Sequence, residues 1–200
     1  MTAYNNGEDE VPIDSSLRNF GSSFGIPNPV GAAQVPCKRL AINGATKGRY
    51  FEFPPMQQGP NDVFYCDESF VQRVITKIEA CVGVGIYSLR LQYHDGSQSP
   101  LFGHRAPNAE SDIAIDQQTR EPAHIGAASI QAWGENYVQA LTLLGGPKNE
   151  NIIAQLTSQK GKGEVNNFVL EEGERIVGVY GYVDNHGDVR GFGLVTVSVQ

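Results

Sequence analysis

Residues 174–200 read ERIVGVYGYVDNHGDVRGFGLVTVSVQ. An apolar segment with small residues runs into Asp-Asn-His-Gly-Asp at 184–188 and returns as a second apolar segment in which every other side chain is shared out to opposite faces. Short β-rich runs on either side of an Asp/Asn/Gly cluster make a hairpin, because those residues form turns and strict alternation puts one set of side chains on one face of a sheet. The same plan occurs twice upstream. Residues 74–103 read VITKIEACVGVGIYSLRLQYHDGSQSPLFG and residues 124–156 read HIGAASIQAWGENYVQALTLLGGPKNENIIAQL. Each unit has an apolar strand with small residues, a Gly turn, and a return strand with apolar residues at every second position. One such unit cannot bury its hydrophobic face alone, but three packed around a pseudo-threefold axis share one core. The expected fold is therefore all-β, a prism of three Greek-key sheets.

The rest of the chain from Arg49 agrees. RYFEF, NIIAQLT and NNFVLEEG are further short β-rich pieces bounded by Gly, Asn, Asp and Pro. Residues 70–79 offer a helical alternative through Phe70, Val74 and Ile78 at i, i+4 spacing, but Val71, Val74, Ile75 and Thr76 are β-branched and a Gly-rich stretch follows. The recurring apolar positions give the expected core: Ile78, Leu89, Leu91, Ile130, Leu141, Leu143, Ile176, Val179, Phe192 and Leu194.

Residues 1–48 differ. Seven of the 11 prolines lie before residue 61, and the stretch has no sustained period of 2 or 3.6. It reads as an extended N-terminal arm, with the domain at 49–200. Its apolar residues, Leu17, Phe20 and Phe24 the bulkiest, suit docking on the domain or on a partner better than a solvated tail, which would carry more charge.

Composition removes several functions. Charged residues make up 18% of the 200, Gly numbers 23, and the net charge is −7. That sign opposes nucleic-acid binding, since phosphates need Lys and Arg to neutralise them. Cys37, Cys66 and Cys81 are an odd set with no C-x-x-C, so buried free thiols are expected, with no metal and no cofactor. No 18-residue apolar run is present and the first residues lack the pattern of a signal peptide, which points to a cytoplasmic location. His94, His104, His124 and His186 fall in loops or at strand ends with no local catalytic signature, and no phosphate loop occurs. Glu135, Asp184 and Asp188 have no spacing that marks a glycosidase pair. The chain is not expected to be an enzyme.

The run at 75–97, the Phe102-Gly103 that follows, the strand pair at 130–143 and the closing E-x-I-x-G-V-x-G…GFG…V-x-V run at 174–199 resemble the jacalin-like β-prism lectins of the mannose-binding type. The resemblance spans residues 49–200. It implies a sugar held between a Gly-rich N-terminal loop and a last-unit loop bearing G-x-x-x-D, in a cup of mixed donors and acceptors that needs no metal. This chain departs from that motif. Arg190 falls where the Asp belongs and His186 where the Gly belongs. Unit one keeps Gly83 but has Tyr87 at the Asp position, and unit two has Gln139. An Arg has five donors and no acceptor, so it does not replace a carboxylate. The candidate sugar contacts are Gly83, Tyr87, Gly134, Asp184, Asn185, Asp188 and Arg190, on three equivalent turns, with Trp133 and Tyr137 as stacking or packing residues. Two functions follow. One is a non-catalytic carbohydrate-binding module. The other is a structural or assembly protein that uses the prism as a rigid block and the arm as a tether to another protein or to further copies of itself.

Overall fold

The computed structural model describes residues 33–104, 111–114, 125–146, 148–158 and 162–199. Residues 1–32 of the arm, with Leu17, Phe20 and Phe24, and His124 lie outside them. In chain order the strands begin with β1 (Gln34–Arg39), β2 (Asn43–Gly44), β3 (Arg49–Phe53), β4 (Gln57–Gln58) and β5 (Phe64–Asp67). The first repeat unit gives β6 (Ile75–Val82), β7 (Ile86–Tyr93), β8 (Phe102–Gly103) and β9 (Ser111–Ala114). The second gives β10 (Ile125–Trp133), β11 (Tyr137–Gly145) and β12 (Asn151–Thr157), followed by β13 (Glu164–Val169). The third gives β14 (Glu174–Val183) and β15 (Val189–Ser198). Among the described residues the only helical pieces are two short 3-10 turns, Pro60–Asp62 and Glu68–Phe70, and of the stretch 70–79 Phe70 closes the second turn while strand β6 begins at Ile75.

The strands form three antiparallel sheets, each built on the hairpin of one repeat unit. Sheet 1 runs β3-β14-β15-β1-β5-β4 with β2 also on β15, sheet 2 runs β12-β11-β10-β13, and sheet 3 runs β8-β7-β6-β9. In sheet 3 Ile78 faces Leu91 and Ala80 faces Leu89 on the inward side, while Lys77 opposite Gln92 and Glu79 opposite Arg90 take the outward side. In sheet 2 Ile130 faces Leu141 and Ala128 faces Leu143 inward. Because side chains alternate with period 2, a one-residue slip in either hairpin would turn these apolar sets outward, and burial therefore fixes the register. β7, β11 and β15 approach one another pairwise, so every sheet touches the other two. All ten residues expected in the core are buried, none more than 4% exposed.

Polar ties cross between the sheets where the core ends. The buried Asn43 of β2 donates through Nδ2 to the carbonyls of Ile130, at 2.7 Å, and Glu164, at 3.0 Å, joining sheet 1 to sheet 2. Tyr93 of sheet 3 donates its hydroxyl to the carbonyl of Val177 in sheet 1 at 2.8 Å. Burial pushes the Tyr93 hydroxyl well above its ordinary pKa, which keeps it a donor.

One boundary is corrected. The chain enters the fold well before residue 49. β1 pairs with β15 on one edge and β5 on the other, and β2 pairs with β15. QVPCKR is poor in apolar residues and carries a proline, so its sequence gave no alternating signal. The strand is nonetheless held, because its ladder groups are satisfied on both edges. Cys37, Cys66 and Cys81 are buried free thiols, as expected.

Leu91 is 1% exposed. Truncating it to Ala should cost about 2–5 kcal/mol in a urea titration, and a loss near zero would place it on the wrong face.

Candidate functional site

The turns that close β6–β7, β10–β11 and β14–β15 lie at one end of the prism, and they meet there. Gly85 marks a close approach of the first turn to the second. A Cβ on it would stand 2.7 Å from the Cβ of Tyr137, the first residue after the second turn, so only glycine allows the approach. The Tyr87 ring lies edge-on to the Tyr137 ring at 6.4 Å between centroids. Its hydroxyl oxygen accepts from Val84 N at 3.0 Å, which ties the ring back to its own turn, and Gly83 N donates to Gly85 O within that turn. Gly134 sits at the exposed tip of the second turn, which Asn136 N closes on Trp133 O at 3.1 Å.

The third turn is built on Asp184. Its Oδ1 accepts from His186 N at 2.8 Å and Asp188 N at 2.9 Å, the Asx arrangement this residue type favours. Its Oδ2 accepts from both Nε and Nη2 of Arg190, Nε at 2.7 Å. Arg190 then reaches across to the second turn. Nη1 donates to Asn136 O at 2.6 Å and the guanidinium lies 4.1 Å from the Tyr137 ring centre. The cation is thus held by a carboxylate, a carbonyl and an aromatic face, a combination suited to its planar fork. Burial by itself would raise the Asp184 pKa, but Arg190 and the backbone N–H groups of Asp188 and His186 outweigh it and hold the carboxyl below its ordinary value. Arg190 shows the reverse balance, with burial working against its charge and Asp184 more than restoring it.

Asp188 is the carboxylate that the turn leaves over. The residue is 9% exposed. Its Oδ1 lies 2.9 Å from His104 Nδ1 without the alignment of a hydrogen bond, and its Oδ2 is 3.7 Å from Arg190 Nη2. Oδ1 is therefore a buried oxygen whose neighbour is the His104 imidazole. The His104 ring stacks against Tyr87 at 6.1 Å. On the far side, β2 and the loop 45–48 border the third turn. Ala45 N donates to Arg190 O at 3.0 Å, and a Cβ on Gly44 would lie 2.3 Å from that same oxygen. The loop 45–48 and the third turn are therefore side by side.

The structure therefore brings Gly83, Tyr87, Asp184, Asp188 and Arg190 to one end with Tyr137, and Gly134 and Asn185 stand exposed on the rims of their turns. Gln139 stands apart. It is fully buried and its Oε1 accepts from Lys162 N at 2.7 Å. Trp133 is 47% exposed at the end of β10. The sequence reading passed over His104 as a loop residue. Its signal lay in the Phe102-Gly103 pair. Gly103 registers with Ser88, so the next residue comes beside Tyr87. The Gly44–Gly48 loop was missed because it was assigned to the arm. Among the described residues no group of three His, Cys, Asp or Glu is placed to hold a metal ion, and no helix is long and apolar enough to cross a membrane.

No family model matches the sequence, and no curated protein matches it. Solved structures do. Calystegia sepium agglutinin matches with a TM-score of 0.56 at 14% identity, covering 82% of this chain and 98% of that one. A mannose-binding jacalin-related lectin from Ananas comosus matches with a TM-score of 0.52 at 16% identity over 82% of this chain and 99% of that one. Single-chain recombinant jacalin matches with a TM-score of 0.54 at 18% identity over 84% and 97%. The chain has the jacalin-like β-prism fold.

Because the folded pKa of Asp184 is depressed, its stabilising effect is present above the unfolded value near 3.9 and fades as pH falls through the folded one. Asp184→Asn should lower stability by about 1–3 kcal/mol at pH 7. The gap to the wild type should shrink in denaturation titrations below about pH 4. A gap that stays constant with pH would mean the carboxylate charge is not what holds the turn.

Proposed function

We propose that the protein is a non-catalytic carbohydrate-binding module whose ligand rests on the end of the prism where the three turns meet. The observation that carries this reading is the meeting of the three turns, which brings the Asp188 carboxylate, the Tyr87 ring and the exposed Asn185 and His186 to one end of the prism. That carboxylate is an acceptor suited to a sugar hydroxyl. The Tyr87 ring beside it offers an apolar face to a pyranose, and its hydroxyl proton, not used by the bond from Val84, is free to meet a sugar oxygen. Asn185 and His186 stand exposed at the rim for further polar contacts. The fold shared with a mannose-binding lectin supports the ligand class.

The acceptor in this reading has moved. Arg190 stands at the position where the resemblance implies an Asp, and its hydrogen bonds to Asp184 and Asn136 leave little for a ligand. Asp184 is likewise spent on its turn and on Arg190. That leaves Asp188 to accept. The same occupancy of Arg190 favours the second reading, a prism used as a rigid assembly block.

A glycan array probed with the purified protein separates the two. Binding of mannose-type or other neutral glycans by the wild type, lost by tenfold or more in Asp188→Asn and Tyr87→Ala, supports the sugar site; each such contact is worth about 1.4 kcal/mol or more. Binding should survive a chelator, because no loop of the cluster offers the roughly 6–8 oxygen ligands that Ca²⁺ takes. A wild-type protein that binds no glycan sinks the lectin reading.

A further inference from the structure

Sheet 2 turns an uncharged face to solvent. Its three outward rows across β12, β11, β10 and β13 contain only Val, Leu, Ile, Ala, Ser, Thr, Asn and Gln. Four of the five large hydrophobic side chains that stand exposed among the described residues belong to this sheet. Val165 and Val169 on β13 are 48% and 74% exposed, and Ile152 on β12 is 60% exposed. Trp133, two residues on from the outward Gln131, joins them by alternation. Single exposed aliphatics are ordinary, but a contiguous group on one uncharged face marks an interaction surface. By contrast, the outward side of sheet 3 carries Lys77, Glu79 and Arg90.

The relief and chemistry of the face fit a second copy of itself. Val165 and Val169 stand as a ridge along the β13 edge. Two strands away, β11 is low, with Ala140 and Thr142 only 7% and 8% exposed. β10 lies between them, paired with β13 on one side and β11 on the other, so ridge and low strand run side by side. A two-fold axis over β10, parallel to the strands, places the ridge of each copy on the low strand of the other. This is an aligned packing of two sheets, and the same patch serves both sides. Val165 then rests on Ala140 of the second copy, and Asn167 on its Thr142. Ser129 of β10 meets its own counterpart on the axis. Amide and hydroxyl groups both donate and accept, so a row of them pairs with its own copy without leaving a group unmatched. A net charge of −7 sets two copies against each other. On this face no like charges are opposed and none is desolvated. The patch measures about 20 Å along and about 20 Å across the strands, which sits at the low end for a specific interface and gives a weak dimer.

We infer that the outward face of sheet 2 is a self-complementary interface through which two copies of the chain form a two-fold dimer. This does not depend on the sugar-site reading. The test is sedimentation equilibrium of the full-length chain from about 1 µM to about 1 mM, the span in which a weak interface dissociates. The wild type should pass from monomer to dimer across that range. Val169→Asp puts a carboxylate of each copy against the apolar face of the other and should weaken the dimer about tenfold or more. Val165→Asp gives the same readout at the other end of the ridge should Val169→Asp disturb the fold, which a melting curve checks. Gln57→Asp adds the same charge to an exposed position on sheet 1 and should leave the dimer as it is. A wild type that stays monomeric throughout overturns the inference. So does a dimer that both valine variants leave intact, which would place the contact elsewhere on the chain. Equal weakening by all three variants also overturns it, since net charge and not this face would then govern association.

Discussion

Strand β15 is the member on which the rest depends. It pairs with β14 along one edge and with both β1 and β2 along the other. Both of its faces are buried, Leu194 being 2% exposed and Val195 fully enclosed. Sheets 2 and 3 are one-sided amphipathic surfaces, unstable alone, and they become a domain only by closing onto the sheet that β15 centres. At its far end the buried Glu174 fixes the start of β14. It accepts from Thr196 Oγ1 of β15 and, at 2.9 Å, from Glu171 N, with Lys38 Nζ 3.8 Å away. A buried carboxylate is tolerated there because donors and a cation surround it.

The three hairpins were legible in the sequence because each carries both signals that a half-buried strand pair can show, alternation within the strands and turn residues between them. Leu89, Leu91 and Tyr93 against Arg90 and Gln92 needed no structure to be read. β1 was illegible for the opposite reason. In a strand paired on both edges the backbone ladder does most of the holding, and QVPCKR needs only Cys37 to face the core. The candidate site was partly legible. Its turns were identified as equivalent, but which side chains would be consumed in building them was not. That depends on partners distant in sequence, such as Arg190 with the Asn136 carbonyl and His104 with Asp188.

The substitution at the heart of the site is instructive chemically. Where the resemblance places an acceptor, this chain has a five-donor cation. A cation at a turn of backbone N–H groups would be a misfit, and Asp184 resolves it by accepting from the turn with one oxygen and from the guanidinium with the other. The pair then clamps the third turn to the second. A position that offers specificity to a ligand in one arrangement offers rigidity in this one, and the proposed function assigns recognition to the neighbouring Asp188.

The pairing of β1 with β15 also orders events in time. Cys37 lies opposite Val197, so one of the earliest strands to be synthesised has its lasting partner among the final ones. Contacts this remote in sequence demand a large loop-closure entropy and slow the folding of β proteins. On the ribosome the hairpins of sheets 3 and 2 emerge first, each local and each with an apolar face still uncovered. The prism cannot shut until β15 arrives, and until then these open faces and the unpaired edge of β1 are the chain's exposure to misassembly.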